Sequence, residues 1–201
     1  RLVMDLGGLF DMQGGNVNVS SVLALADGGT NDDSRFEQGA GTVTITGELG
    51  FECETGDFEP AYEMGGGTLQ VNGDVVWFGA APGSGRPSLK LSGGTTTVSG
   101  DIVNTNNSTV DLYILLETTA TLTVLGTNID LPHTTDSLVM TGGALHIAGN
   151  AGLSNDGVLH ASDGDIYFDT QCELLGNGSF RFHNVNISSG AVLQHTQPAE
   201  I

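Results

Sequence analysis

The sequence predicts an all-β fold: a parallel β-helix, or β-solenoid, of about eight coils of about 26 residues each. Three observations carry that prediction. A short glycine-bracketed motif returns at nearly constant spacing, its apolar residues alternate with the two-residue period of a strand, and no stretch holds a long helical pattern. Val17, Val43, Leu69, Thr96 and Leu122 occupy the same motif position, each about 26 residues after the last. Such self-similarity marks a chain in which one coil cannot bury its apolar side until its neighbours stack on it.

In chain order the units read GGNVNVS, GTVTITGEL, GGTLQVNGDV, GTTTVSGDI, ATLTVLGTNI, GALHIAG, GDIYF and GSFRFHNVNI. Successive side chains of an extended segment point to opposite faces, so each unit is a strand with one face in the core. The first inward column is Val17, Val43, Leu69, Thr96, Leu122, Leu145, Ile166 and Phe180. The second is Val19, Ile45, Val71, Val98, Val124, Ile147, Phe168 and Phe182. Thr96 interrupts an otherwise apolar set, and its hydroxyl needs a partner inside. A coil of about 26 residues accommodates about three short strands and their turns, and eight coils at about 4.8 Å make a rod about 40 Å long.

One solenoid domain spans 1–201, with regular coils over about 14–130 and irregular ones over about 131–201, where the steps shorten to 23, 21 and 14. Asp111–Leu116 is the segment nearest to a helix and is too short for one. No run reaches the roughly 20 apolar residues of a membrane span, and no membrane insertion is expected. The first residues, RLVMDLGGLF, lack the pattern of a signal peptide. A chain beginning without Met is expected to be processed or excised from a longer one.

Twenty-four Asp and Glu against five Lys and Arg give a formal charge of −19. That balance repels nucleic acid and anionic lipid, which excludes a nucleic-acid reader as an expectation. The acids fall into two groups. Glu48, Asp74 and Asp101 recur one coil apart in Gly-acid-aliphatic triplets, where stacked carboxylates could be bridged by Ca2+ or simply be solvated turn residues. The loops DGGTNDDSRFEQ and FECETGDFEPAYE form the second group, and Asp27, Asp32, Asp33 and Asp57 are its candidate Ca2+ ligands. No cofactor beyond Ca2+ is implied, and the fold requires none. The coil register also sets Asn31 near Asp57, Asp33 near Glu59, and Glu37 near Glu63. Arg86 and Lys90 follow Glu59 and Glu63 one coil further on, as an acid–base ladder would.

Cys53 and Cys172 are separated by between four and five coils, or roughly 20 Å along the axis. An intrachain disulfide needs Cα atoms within about 7 Å. Two free thiols are the expectation, with an intermolecular disulfide between stacked subunits as the alternative.

The sequence points away from an enzyme. Asp163, Asp165 and Asp169 in DGDIYFD are the nearest approach to a glycosidase carboxylate set, and they equally read as turn acids around a strand. His146 and His183 are expected at outward strand positions, and His133, His160 and His195 lack metal-ligand spacing. No nucleophile triad or phosphate-loop motif occurs. The outward columns are rich in Thr, such as Thr42, Thr68, Thr95 and Thr121, and stacked Thr or Asn ladders hold coils together. A flat Thr-x-Thr array is similar to the surface of ice-binding solenoids, here interrupted by Asn18, Gln70 and Asn72.

The units GGTLQVNGDV and GTVTITGEL resemble the repeats of bacterial secreted β-helix proteins, the autotransporter passengers and filamentous haemagglutinin-like adhesins. The resemblance covers roughly residues 14–187 and implies a protein secreted to the cell surface or beyond, acting as a stiff stalk or adhesin. Because neither RLVMDLGGLF nor AVLQHTQPAEI reads as a cap, the expected partner is a second copy stacked end to end or neighbouring repeats of a larger surface protein. Glycans are a further expected partner. A carbohydrate-active β-helix is the alternative, with a groove of acids and the aromatics Trp77, Phe78 and Tyr113; ice binding is a minor one.

Overall fold

The structure, a computed structural model, describes residues 2–4, 8–21, 23–26, 34–53, 59–79, 86–105, 110–149 and 152–195. Among them every regular element is a strand. The first coil holds β1 (Leu2–Met4), β2 (Leu9–Met12) and β3 (Asn16–Val19). Next come β4 (Leu23–Ala26), β5 (Arg35–Gln38) and β6 (Thr42–Ile45), then β7 (Leu49–Cys53), β8 (Ala61–Met64) and β9 (Thr68–Val71). β10 (Val75–Gly79), β11 (Ser88–Leu91) and β12 (Thr95–Val98) precede β13 (Ile102–Asn104), β14 (Tyr113–Leu116) and β15 (Thr121–Val124). Two-strand coils follow: β16 (Asn128–Leu131) with β17 (Ser137–Ile147), and β18 (Gly152–Asn155) with β19 (Val158–Phe168). β20 (Cys172–Leu175), β21 (Ser179–Arg181), β22 (Asn184–Ile187) and β23 (Leu193–His195) end the chain.

These strands stack as the parallel ladders of a β-solenoid. The first face is a nine-stranded sheet running from β1 through β4, β7, β10, β13, β16, β18 and β20 to β23. The second and third faces form one 14-stranded sheet, because β17 and β19 each run 11 residues from one face into the other. Their corner is a register irregularity around Met140 and Thr141 rather than a full turn. That corner still takes three residues, 141–143, as many as 39–41 or 65–67 in the regular coils; the coils shorten instead between the first and second faces, where the links from Leu131 to Ser137 and from Asn155 to Val158 replace the longer one from Cys53 to Ala61. On the first face Leu23, Leu49, Val75, Ile102 and Ile129 stand in register, and the step falls below this regular spacing between Leu2 and Leu23 and again from Leu153 to Leu174. About six turns of about 25 residues make the body, and the expected eight are reached only by including the last two short coils.

Each face contributes two inward columns. On the third face Val43, Leu69, Thr96, Leu122, Leu145 and Ile166 stack in register, as do Ile45, Val71, Val98, Val124, Ile147 and Phe168. Both sets are buried. The expected ends of these columns are corrected: Phe180 pairs with Leu159 on the second face, and Val185 and Ile187 continue Ile166 and Phe168. The motif GSFRFHNVNI spans a corner, so the short last step of the sequence pattern was counted across two faces. On the second face Phe10, Phe36 and Tyr62 stack at centroid distances of 4.7 and 4.8 Å, the spacing of the strands that carry them. Phe51 and Trp77 do the same on the first face at 4.7 Å. Each buried ladder residue contributes about 1.5–3 kcal/mol over its exposed state.

Several polar groups inside the rod are bonded across coils, while the Ser34 and Ser88 hydroxyls and Asn155 Oδ1 are buried without a hydrogen-bond partner among the described residues. Thr96 Oγ1 donates to Met64 Sδ at 3.4 Å. Gln38 Nε2 donates to the carbonyls of Gly41 and Thr68, and its Oε1 accepts from Tyr62 at 2.7 Å. Burial pushes the Tyr62 phenol far above its ordinary value. Asp136, wholly buried, accepts from Leu112 N at 2.7 Å, His133 N at 2.9 Å and Asn104 Nδ2 at 3.1 Å. It thereby ties two coils at the corner between the first and second faces.

The corner between the second and third faces shows why glycine brackets the motif. Gly41, Gly67 and Gly94 all have positive φ, at 83°, 86° and 80°, a conformation that strains any residue with a Cβ. Each stacks on the turn below: a Cβ at Gly94 would lie 2.5 Å from the carbonyl oxygen of Gly67.

Candidate functional site

The register places Glu37 beside Glu63 and Glu63 beside Lys90 on the outward side of the second face, as the sequence ladder required. Lys90 Nζ is 3.1 Å from Glu63 Oε1, and Arg35 lies 3.5 Å from Glu37 and 3.8 Å from Glu63. These pairs are partly exposed and each contributes at most about 1 kcal/mol. Glu37, Glu63 and Lys90 line an open groove of about 320 Å3 that runs along the axis at the corner with the third face, joined by Gln13, Ser92, Glu117 and the backbone of Gly39 and Gly65. The groove thus crosses five coils and offers carboxylates, one ammonium and peptide groups in a row. Cations hold both Glu37 and Glu63, so the arrangement suits recognition of an extended polar chain rather than proton transfer. Arg86 departs from the ladder: it reaches Asp111 at 3.6 Å, donates to Thr135 O at 3.0 Å and lies over the Tyr113 ring.

The turn acids act on the backbone. Asp74 Oδ1 accepts from Asp101 N at 2.8 Å, and Asp101 Oδ1 accepts from Thr127 N at 2.6 Å and Asn128 N at 2.9 Å. Each carboxylate satisfies amides of the coil above, so the stack is stapled rather than simply repelled. Glu48 holds its place through its backbone, whose carbonyl accepts from Leu23 N. Among the described residues no three His, Cys, Asp or Glu side chains converge as a metal-binding group. Asp27, Asp32, Asp33 and Asp57, with Asn31, lie outside the described residues.

The third face carries a cluster the sequence reading did not assemble. Asp169 accepts from Ser188 Oγ at 2.7 Å and pairs with His146 Nδ1 at 2.9 Å, linking three successive coils. The Ser188 hydroxyl, then the His146 imidazole, holds the Asp169 carboxyl below its usual range against an opposing effect of burial. His146 stacks on Tyr167 at 4.3 Å. The serine hydroxyl is spent on the carboxylate and not on the imidazole, so this is no nucleophile–base pair. Asp163 lies 3.6 Å from His183, and Asp165 faces Asn184 in register without joining Asp169. His183 sits at the bend between β21 and β22, not on a strand as expected. His146 precedes Asp169 by less than one regular coil step, so the regular register hides the pair.

The expected aromatic platform is not formed. Trp77 is wholly buried, with its Nε1 donating to Pro87 O at 2.9 Å, and Tyr113 is covered by Arg86. Cys172 is also wholly buried, and its thiol is pushed up to about 11, mainly by burial. An intermolecular disulfide through it therefore requires the coil to open. The side chain of Cys53 is outside the described residues.

Both ends of the rod expose core columns. At one end Phe10, in the column of Phe36 and Tyr62, is 39% exposed; at the other Val185 is 37% and Ile187 52%. No protein-family model, curated protein or solved structure matches this chain.

Proposed function

We propose that this protein is an extracellular structural or adhesive β-solenoid, a stiff surface stalk whose ends accept like coils and so can stack into a filament. The observation that carries this reading is the pair of ends, where, among the described residues, inward columns run out to exposed Phe10 on one side and to exposed Val185 and Ile187 on the other. An uncovered parallel edge is a template for another strand. The surface acidity fits a scaffold kept soluble by charge. Negative-stain microscopy of the native protein tests it: rods joined end to end support the reading, single rods remove the stacking and leave a lone stalk, and compact or laterally clumped particles oppose it altogether.

The axial groove favours a second reading, glycan binding along the rod, because its carboxylates, ammonium and peptide groups can hydrogen-bond sugar hydroxyls in a row. Glycan-array binding that is lost in Glu63→Gln and Lys90→Ala would support it. A blank array with the folded protein would leave the scaffold reading alone.

A further inference from the structure

The two ends of the rod match each other residue by residue on the third face. The strand at one end is Asn16-Val17-Asn18-Val19, and the strand at the other is Asn184-Val185-Asn186-Ile187. Their outward positions belong to the same two columns. One column reads Asn16, Thr42, Thr68, Thr95, Thr121, Ala144, Asp165, Asn184. The other reads Asn18, Thr44, Gln70, Thr97, Thr123, His146, Tyr167, Asn186, so asparagine stands in each only at the two ends. Stacked asparagines in register form amide ladders along the axis of a parallel β-stack.

Charge matches too. The outward column of the second face begins at exposed Asp11, followed by Glu37 and then Glu63, and ends at exposed Arg181, which neighbours His160. With five Lys and Arg in the whole chain and a formal charge of −19, two copies repel unless their contact is locally complementary.

We infer that a second copy of this chain docks head to tail, with β22 on the next copy's β3, Asn184 over Asn16, and Arg181 facing Asp11. This rests on the end-stacking reading above and adds its partner and register. Val185 and Ile187 then stack on half-buried Val17 and on Val19, itself already buried, continuing both core columns across the joint. On the second face Phe180 is already covered by Phe182 and His195, so Arg181 on the outer side carries that part of the contact. On the first face β23 lies one level beyond β21 and β22. It takes the place on the next copy's β4 that β1 otherwise fills, and β1, with Leu2 38% and Val3 43% exposed, moves aside.

Sedimentation velocity over a concentration series of the 201-residue chain tests the joint, with circular dichroism confirming that each variant folds. The wild type should grow with concentration. Arg181→Glu should raise the concentration needed for association about five- to tenfold, since an exposed pair is turned into a repulsion. Arg181→Glu combined with Asp11→Arg should restore it. Growth of the wild type that neither variant alters overturns the register and leaves end stacking standing. A wild type that sediments as a monomer throughout overturns the joint and end stacking together, leaving a lone stalk.

Discussion

Replacing Gly126 by Ala puts the packing of one coil on the next to a quantitative test. A Cβ there would fall 2.0 Å from the carbonyl oxygen of Gly100 and 2.3 Å from its carbon, both in the coil below. Ordinary contact begins near 3.4 Å, so the coils must part locally by more than an ångström. Three hydrogen bonds bracket the site: Leu125 N to Val98 O at 2.8 Å, and Thr127 N and Asn128 N to Asp101 Oδ1 at 2.6 and 2.9 Å. Opening of that size breaks two or three of them at about 1 kcal/mol each, for a loss of about 2–3 kcal/mol. Gly65 is the matched control. The nearest atom to its Cβ is Gln38 O at 3.9 Å, so Gly65→Ala should stabilise by about 0.5 kcal/mol by restricting the unfolded chain. Guanidinium unfolding followed by the fluorescence of the single, buried Trp77 reads both. A Gly126→Ala variant within about 0.5 kcal/mol of wild type would refute the reasoning, since it would mean that the stack yields freely.

Asp136→Ala leaves the buried amides of Leu112 and His133 without an acceptor and should cost about 3 kcal/mol in the same assay. Burial raises the Asp136 carboxyl above its ordinary range, so its contribution is largest in acid and is lost as pH rises through the folded value; Asp136→Asn should remove that dependence in a stability–pH profile. Asp169 is lowered, so its contribution is present above about pH 4 and is lost as pH falls through the folded value. Ser188→Ala should blunt this loss more than His146→Ala does, as read by hydrogen exchange of the last coils across the acid range. Cys172, buried with its thiol pushed up to about 11, should resist alkylation in mildly alkaline buffer while folded and react once unfolded; rapid labelling of the native chain would contradict its place in the core.

The body of the rod was legible because its signals are local and repeated. Val43, Leu69 and Leu122 announce strands by alternation, and a constant step turns that into register, which by itself places Glu37, Glu63 and Lys90 together. Legibility failed where the step changes. The links from Leu131 to Ser137 and from Asn155 to Val158 are much shorter than that from Cys53 to Ala61, so His146, Asp169 and Ser188 fall outside the regular frame and Phe180 lands on the second face. It failed also for buried polar residues. Asn104 stands in the column above Trp77, and its partner Asp136 lies far along the chain across a corner. Trp77 read as a surface aromatic because strand alternation on the first face cannot by itself say which side is inside.

Small-angle X-ray scattering over a concentration series tests the central claim most directly, that the protein is a uniform rod whose ends take like coils. The account predicts a constant cross-section while the length grows in steps of about 40 Å, one rod at a time. A particle that widens as it associates, or one that keeps a single length at every concentration, would contradict it.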